Sequence, residues 1–235
     1  TTALPKPLYC GESPGNYSPP MEALTPEEAR VLGCLVEKER TTPEYYPMTV
    51  NALVAAANQK TNRHPVVEYD EPTIERTLRS LDDKGLAGLT RARGGRTLKY
   101  LQKAEDAYEV DSDQLAILSV LLLRGPQTPG EIRSRTARYF VAEQPLEAIE
   151  SLLEDLMTRS IPLVERLRRE PGQKENRFRD LLTDPATVVP EEAGASAQVA
   201  DPLADRVATL ERRVAALARS LGVEFSDLDL DQSVE

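Results

Sequence analysis

The residues of this chain best suited to chemistry are basic, and the chemistry they suit is the holding of phosphate. Arg91, Arg93, Arg96 and Lys99 surround Gly94-Gly95, and no acidic residue occurs from 86 to 101. Such a stretch can neutralise a nucleic-acid backbone, each contact adding salt-dependent affinity. The same arginines on a bare hairpin would also keep an edge strand from pairing with other chains. Arg76 and Arg79 lie upstream in a helical pattern, where Ile74, Leu78 and Leu81 fall on one side and Arg76, Arg79, Ser80 and Asp83 on the other. Glu75, Asp82 and Asp83 work against a backbone contact there. A third donor set, Asn58-Gln59-Lys60-Thr61-Asn62-Arg63, offers Lys60, Arg63 and three amides. It reads either as a phosphate grip or as a helix C-cap with Asn58 left-handed.

Other chemistries find little material. His64 is the single histidine, and the chain has no Cys-x-x-Cys pair and no Gly-x-x-x-x-Gly-Lys loop. Glu27-Glu28 and Asp82-Asp83 read as ordinary surface carboxylates. The expectation is a protein that is not an enzyme and has no cofactor or metal.

The elements that must position these residues are legible from caps and periodicity. Thr25-Pro26-Glu27-Glu28 is a capping box with Pro in the first turn, followed by Val31, Leu32, Leu35 and Val36 on one face. Pro43 and Pro47 end that helix, and Thr49 caps a second over about 50–57. A third runs over about 71–84 and stops at Gly85. Two short strands about Gly94-Gly95 make a β-hairpin. Three helices closed by a hairpin are the outline of a winged helix.

That outline occurs twice. Residues 24–32 answer to 110–118, Thr42-Pro43 to Thr128-Pro129, and Ile74, Leu78, Leu81 to Ile149, Leu153, Leu156. The offset is 86 between Leu32 and Leu118 but 75 between Leu78 and Leu153, so the first copy carries about eleven residues more around its second helix. The second copy opens its helix two with the capping box Thr128-Pro129-Gly130-Glu131, and its helix three spans about 145–159. The outward face of that helix is acidic (Glu147, Glu154) with Ser151 and Thr158, and Glu143, Glu150 and Asp155 lie nearby. A duplex would be repelled by it. The second copy's basic residues are Arg133, Arg135 and Arg138, assigned to helix two, and Arg166, Arg168, Arg169, Lys174, Arg177 and Arg179 on the hairpin.

Composition agrees with two small domains. Eighteen Pro, twelve Gly, three Phe and no Trp leave little for one large core, and a net charge of −10 disfavours indiscriminate nucleic-acid binding without excluding a local basic patch. Cys34 sits inside a helical pattern far from Cys10, which favours a reduced, cytoplasmic setting. The apolar run 116–123 is too short for a membrane span, which needs roughly 18 residues. The expected organisation is a disordered Pro-rich arm (1–23), winged-helix domains at 24–103 and 110–182, a linker (183–201), a coiled-coil helix (202–221) and an acidic tail (222–235). The fold class is mainly α with small β wings. In the heptad, Leu203, Leu210 and Leu217 take d and Val207, Val214 and Leu221 take a, a pattern that favours a parallel two-stranded coil and hence a homodimer; the alternative is the same apolar stripe folded back onto the winged domains.

Glu28-Ala29-Arg30-Val31-Leu32-Gly33-Cys34-Leu35, the stretch from Asn58 to Arg63, and Leu122-Leu123-Arg124-Gly125-Pro126-Gln127-Thr128-Pro129-Gly130-Glu131 together resemble the YceH-like family of bacterial proteins. Arg169-Glu170-Pro171-Gly172 also fits that pattern. The resemblance covers roughly residues 24–182. It implies tandem winged helices in a cytosolic protein and no established activity; the arm and the linker lie outside it. The expected function is DNA-associated regulation through the first winged helix, using Arg76, Arg79, Arg91, Arg93, Arg96, Lys99, Lys60 and Arg63. The alternative is a protein-protein adaptor resembling segregation and condensation protein B, also an acidic pair of winged helices, with the acidic second helix three meeting the partner.

Overall fold

The computed structural model describes residues 22–91, 97–140, 144–169 and 173–184. Among them are seven α-helices and two antiparallel hairpins, so the fold is α with small β elements. The arm up to residue 21 and the expected linker, heptad and tail from 185 onward lie outside the described residues.

Helix α1 (Pro26–Thr41) starts where the capping box places it. Thr25 Oγ1 accepts from the Glu28 amide at 3.2 Å, and the Glu28 carboxylate accepts from the Thr25 amide at 2.8 Å. A 3-10 turn at Pro43–Tyr45 leads to α2 (Val50–Ala57), capped by Thr49. Helix α3 (Glu71–Asp83) ends in a Schellman motif. Gly85 takes φ 71, its amide donates to Asp82, and the Leu86 amide donates to Leu81. Only a residue without Cβ accepts that backbone cheaply.

Strands β1 (Ala87–Arg91) and β2 (Leu98–Gln102) pair with Leu89 opposite Tyr100 and Thr90 opposite Lys99. The short α4 (Ala104–Tyr108) then leads to α5 (Ser112–Arg124), α6 (Pro129–Thr136) and α7 (Leu146–Thr158), and to β3 (Val164–Arg166) paired with β4 (Phe178–Asp180).

The order helix, helix, helix, hairpin thus occurs twice, and one detail repeats with it. Met48, just before α2, exchanges both backbone hydrogen bonds with Tyr100 of β2. Gln127, just before α6, does the same with Phe178 of β4. Each hairpin so acquires a one-residue third strand. The extra length of the first copy is spread out: α1 has 16 residues against 13 in α5, and both connections flanking α2 are longer than those flanking α6.

The two copies share one core. The described residues fall in one compact unit, and one apolar cluster runs through both copies. Its centre is α1 packed on α5. Leu115, Ile117, Leu118, Val120, Leu121, Leu122 and Leu123 are all buried, so α5 is covered on every side. That explains a run of apolar residues that periodicity alone leaves without a face. The helices approach closely at Gly33, where a Cβ would sit 2.8 Å from Leu123 Cγ. The chain closes on itself as well, the Leu24 amide donating to the Leu182 carbonyl at 2.8 Å.

Candidate nucleic-acid interface

Helix α3 presents Arg76 and Arg79 to solvent while Ile74, Leu78 and Leu81 are buried, as the periodicity requires. Arg76 is held back along its own helix by a 3.0 Å hydrogen bond from Nη2 to Thr73 Oγ1. Ser80 departs from the expected outward set. Its hydroxyl donates to Glu28 Oε1 at 2.6 Å, and Lys84 Nζ lies 2.8 Å from Glu28 Oε2. Glu28 is therefore buried, not an ordinary surface carboxylate. Burial pushes its carboxyl up, but the Lys84 and Ser80 hydrogen bonds outweigh this and leave it below the usual glutamate value.

The first hairpin carries Arg91 exposed and Lys99 half-buried. Side chains alternate along a strand, and the register sets Lys99 beside Thr90 and Arg91 beside Leu98. Arg91 and Lys99 therefore lie on opposite faces of the ribbon. Arg93 and Arg96 lie outside the described residues. Lys60 is exposed in the segment after α2.

Arg63 does not belong to this surface, which corrects its assignment. Its side chain is 0% exposed, and its guanidinium donates to Glu37, Nη2 to Oε2 at 2.5 Å and Nη1 to Oε1 at 3.3 Å. Three side chains of the donor-rich stretch, Asn58, Asn62 and Arg63, are spent on contacts within the protein. Asn58 is not left-handed (φ −88); its side chain clamps Tyr69 through two backbone hydrogen bonds of 2.8 Å. Asn62 takes the left-handed conformation instead (φ 63) and accepts from Arg124.

Glu37, which the sequence reading passed over, is the centre of a buried network joining the two copies. Besides Arg63, Arg138 Nη2 donates to it at 2.6 Å and the Tyr139 hydroxyl at 3.4 Å. Burial pushes its carboxyl up, and the Arg63 hydrogen bond and charge, with Lys38 and Arg138, bring it below the ordinary value. Arg30 is buried two turns away on α1, donating to the carbonyls of Ala57 (3.0 Å) and Pro65 (2.5 Å). A signal existed in the sequence: Arg30, Cys34 and Glu37 follow i, i+4, i+7 on the apolar stripe of α1. Two charges on a core face call for buried partners. Cys34 itself is a free, buried thiol.

The second copy differs in charge and in how its arginines are used. On α7, Glu147, Glu150, Glu154 and Asp155 are exposed. Arg138 lies beyond α6, which ends at Thr136, and not on it. On the second hairpin Arg166 pairs with Glu154 (3.6 Å), Arg177 with Glu131 (3.2 Å) and Arg179 with Glu165. An open groove of about 530 Å³ runs between α6, α7 and this hairpin, lined among others by Leu146, Glu150, Met157 and Phe178. Its rim carries both signs of charge, so no single class of ion is favoured there. Among the described residues no cluster of three His, Cys, Asp or Glu could hold a metal, and no helix is long and apolar enough to cross a membrane.

A family model described as "Protein of unknown function, DUF480" matches residues 24–173. The chain is 46% identical over 192 residues to a UPF0502 protein of Koribacter versatilis, covering 81% of this chain and 88% of the relative. It is 43% identical to a UPF0502 protein of Pectobacterium carotovorum, covering 84% and 96%. With that of Geotalea daltonii it shares 50% identity over 155 residues, covering 66% and 70%. The YceH-like resemblance of its motifs and these matches agree: the chain belongs to the DUF480, or UPF0502, family of bacterial proteins of unknown function.

Proposed function

We propose that this protein is a non-enzymatic, cytoplasmic, DNA-associated regulator built from two winged helices, and that it contacts duplex through the first copy. The acid-free first hairpin, set against the carboxylate-lined α7 of the second copy, carries this reading. On the second hairpin Arg166, Arg177 and Arg179 are each committed to a glutamate, while Arg168, Arg169 and Lys174 are exposed without one among the described residues. Among the described residues, Arg79, Arg91 and Lys60 of the first copy are exposed, and no acidic partner within salt-bridge distance holds them. Uncommitted cations are the ones that can exchange counterions for phosphates. The repeated helix order and the one-residue third strand at Met48 and Gln127 support the winged-helix assignment.

Fluorescence polarisation with a random duplex at low salt tests it. Wild-type protein is expected to bind, and Arg79→Ala with Arg91→Ala to weaken binding for all sequences alike. The slope of log affinity against log salt should fall by about 0.9 per lost contact. No duplex affinity in the wild type would remove the proposal. It would promote the adaptor reading, which the four exposed carboxylates of α7 and the net charge of −10 favour.

Homodimerisation through the heptad of Leu203, Val207, Leu210, Val214, Leu217 and Leu221 is part of the same proposal. It rests on the sequence pattern alone, since those residues lie outside the described ones. Sedimentation should give a dimer for the full chain and a monomer for a chain ending at Asp184. A full-length monomer at tens of micromolar would end this part of the reading.

A further inference from the structure

Where the two copies meet, positive charge collects beyond what the local carboxylates balance. Arg124 closes α5, Arg135 lies in the last turn of α6, and Arg138 follows that helix. Arg63, Lys38 and Arg177 lie around them, and the carboxylates paired with this group among the described residues are Glu37 and Glu131. Six cations thus face two anions in a chain whose net charge is −10.

Arginines at helix C-termini are often explained by the dipole and the last free carbonyls. That explanation does not account for these. Arg124 Nη2 donates to the Asn62 side chain, and Arg138 Nη2 to Glu37. Arg135 reaches Glu131 only at 3.8 Å, and its buried Nη1 has no hydrogen-bond acceptor among the described residues. Burial, then the charges of Arg135 and Arg138, push the Arg124 guanidinium down to about 10. A buried donor without an acceptor and like charges held together are each unfavourable, and one anion would relieve both. Arg138 keeps half of its side chain exposed, so the cluster opens to solvent.

We propose that Arg124, Arg135 and Arg138 form a binding site for a small phosphate-bearing molecule at the seam between the two copies. Three guanidinium forks from different elements suit the tetrahedral oxygens and double charge of a phosphate better than a planar carboxylate, which one or two forks saturate. Because Asn62 and Glu37 belong to the first copy and the three arginines to the second, such a ligand would tighten the junction. The site does not depend on duplex binding by the first hairpin.

Inorganic pyrophosphate is the probe, with chloride at matched ionic strength as the control and thermal unfolding of the full chain as the readout. At tenfold excess over Kd the midpoint of the wild type should rise by about 2–5 °C. The rise should disappear in Arg124→Gln/Arg138→Gln and persist in Arg79→Ala/Arg91→Ala. Should the double variant not fold, Arg138→Gln alone, at a half-exposed position, should bind pyrophosphate at least tenfold more weakly by calorimetry. The proposal is overturned if the wild type shows no rise at 10 mM, if chloride gives the same rise, or if Arg138→Gln binds as tightly as wild type. It is equally overturned if pyrophosphate fails while Arg138→Gln weakens duplex binding, because the cluster would then be a contact for a nucleic-acid backbone.

Discussion

Replacing Glu37 with alanine is expected to destabilise the fold by about 3–5 kcal/mol, the range for removing one partner of a buried ion pair. The carboxylate is 1% exposed and Arg63 0%. Without Glu37 the Arg63 guanidinium would remain in the core, held only by the carbonyls of Ala56 (3.1 Å) and Asn62 (2.9 Å). Arg138 and Tyr139 would lose their acceptor in the first copy at the same time. Urea denaturation of Glu37→Ala, Arg63→Ala and the double variant separates the pair from its surroundings. The double variant should cost clearly less than the two single costs together, since the stranded charge is then absent. Strict additivity would show that the two side chains are not coupled.

The same network sets a pH dependence with a definite sign. The folded protein holds the Glu37 carboxyl below its ordinary value, so between the two values the unfolded chain binds more protons. The stabilisation from Glu37 is fully present above about pH 4.3, the unperturbed glutamate value. It is lost as pH falls through the lower folded-state value. Glu28 behaves alike, so the informative quantity is the difference between wild type and Glu37→Gln from pH 6 to pH 3. That difference should shrink on acidification. One that grows would mean that Glu37 is protonated more readily in the folded state than in the unfolded chain.

Gly33→Val is expected to cost about 2–3 kcal/mol, near the top of the range for overpacking a close-packed core. A Cβ at residue 33 would lie 2.8 Å from Leu123 Cγ, 2.9 Å from Leu123 Cδ2 and 3.5 Å from Leu122 Cβ. Leu123 is itself buried, so α5 must move or leave its rotamer. Ordinary helix propensity opposes the effect, because glycine in a helix interior is about 1 kcal/mol less favourable than alanine. Gly33→Ala therefore sets a gain in propensity against the same clash and should change stability much less. For Gly33→Val the thermal midpoint should fall by about 5–10 °C. Leu123→Ala in that background should recover part of the loss, although alone it should destabilise by leaving a cavity. A Gly33→Val protein as stable as wild type would show that α1 and α5 can separate at little cost.

Local signals determined which elements form. The Thr25–Glu28 and Thr128–Glu131 boxes, the prolines near residues 43 and 47 and the stop at Gly85 act within a few residues, so helix starts and ends could be read from them. The inward sets Ile74, Leu78, Leu81 and Ile149, Leu153, Leu156 were legible because helical period and burial coincide there. So was the acidic face of α7. What the sequence could not determine was which polar residue meets which over long separations. Ser80 and Glu28 are 52 positions apart, Arg63 and Glu37 26, and Arg138 and Glu37 101. Arg63 looked like a surface cation because its type and neighbours are those of a loop. Only the packing of α1 against α2 and the segment after it brings Glu37 to it, and Arg138 and Tyr139 of the second copy complete the enclosure. The repeat in the sequence specifies two similar sets of elements, whereas their single core depends on α5 being apolar on every side and on Gly33 letting α1 approach it. A periodic pattern records that a face is buried; the partner that buries it is fixed by the shape of the folded chain.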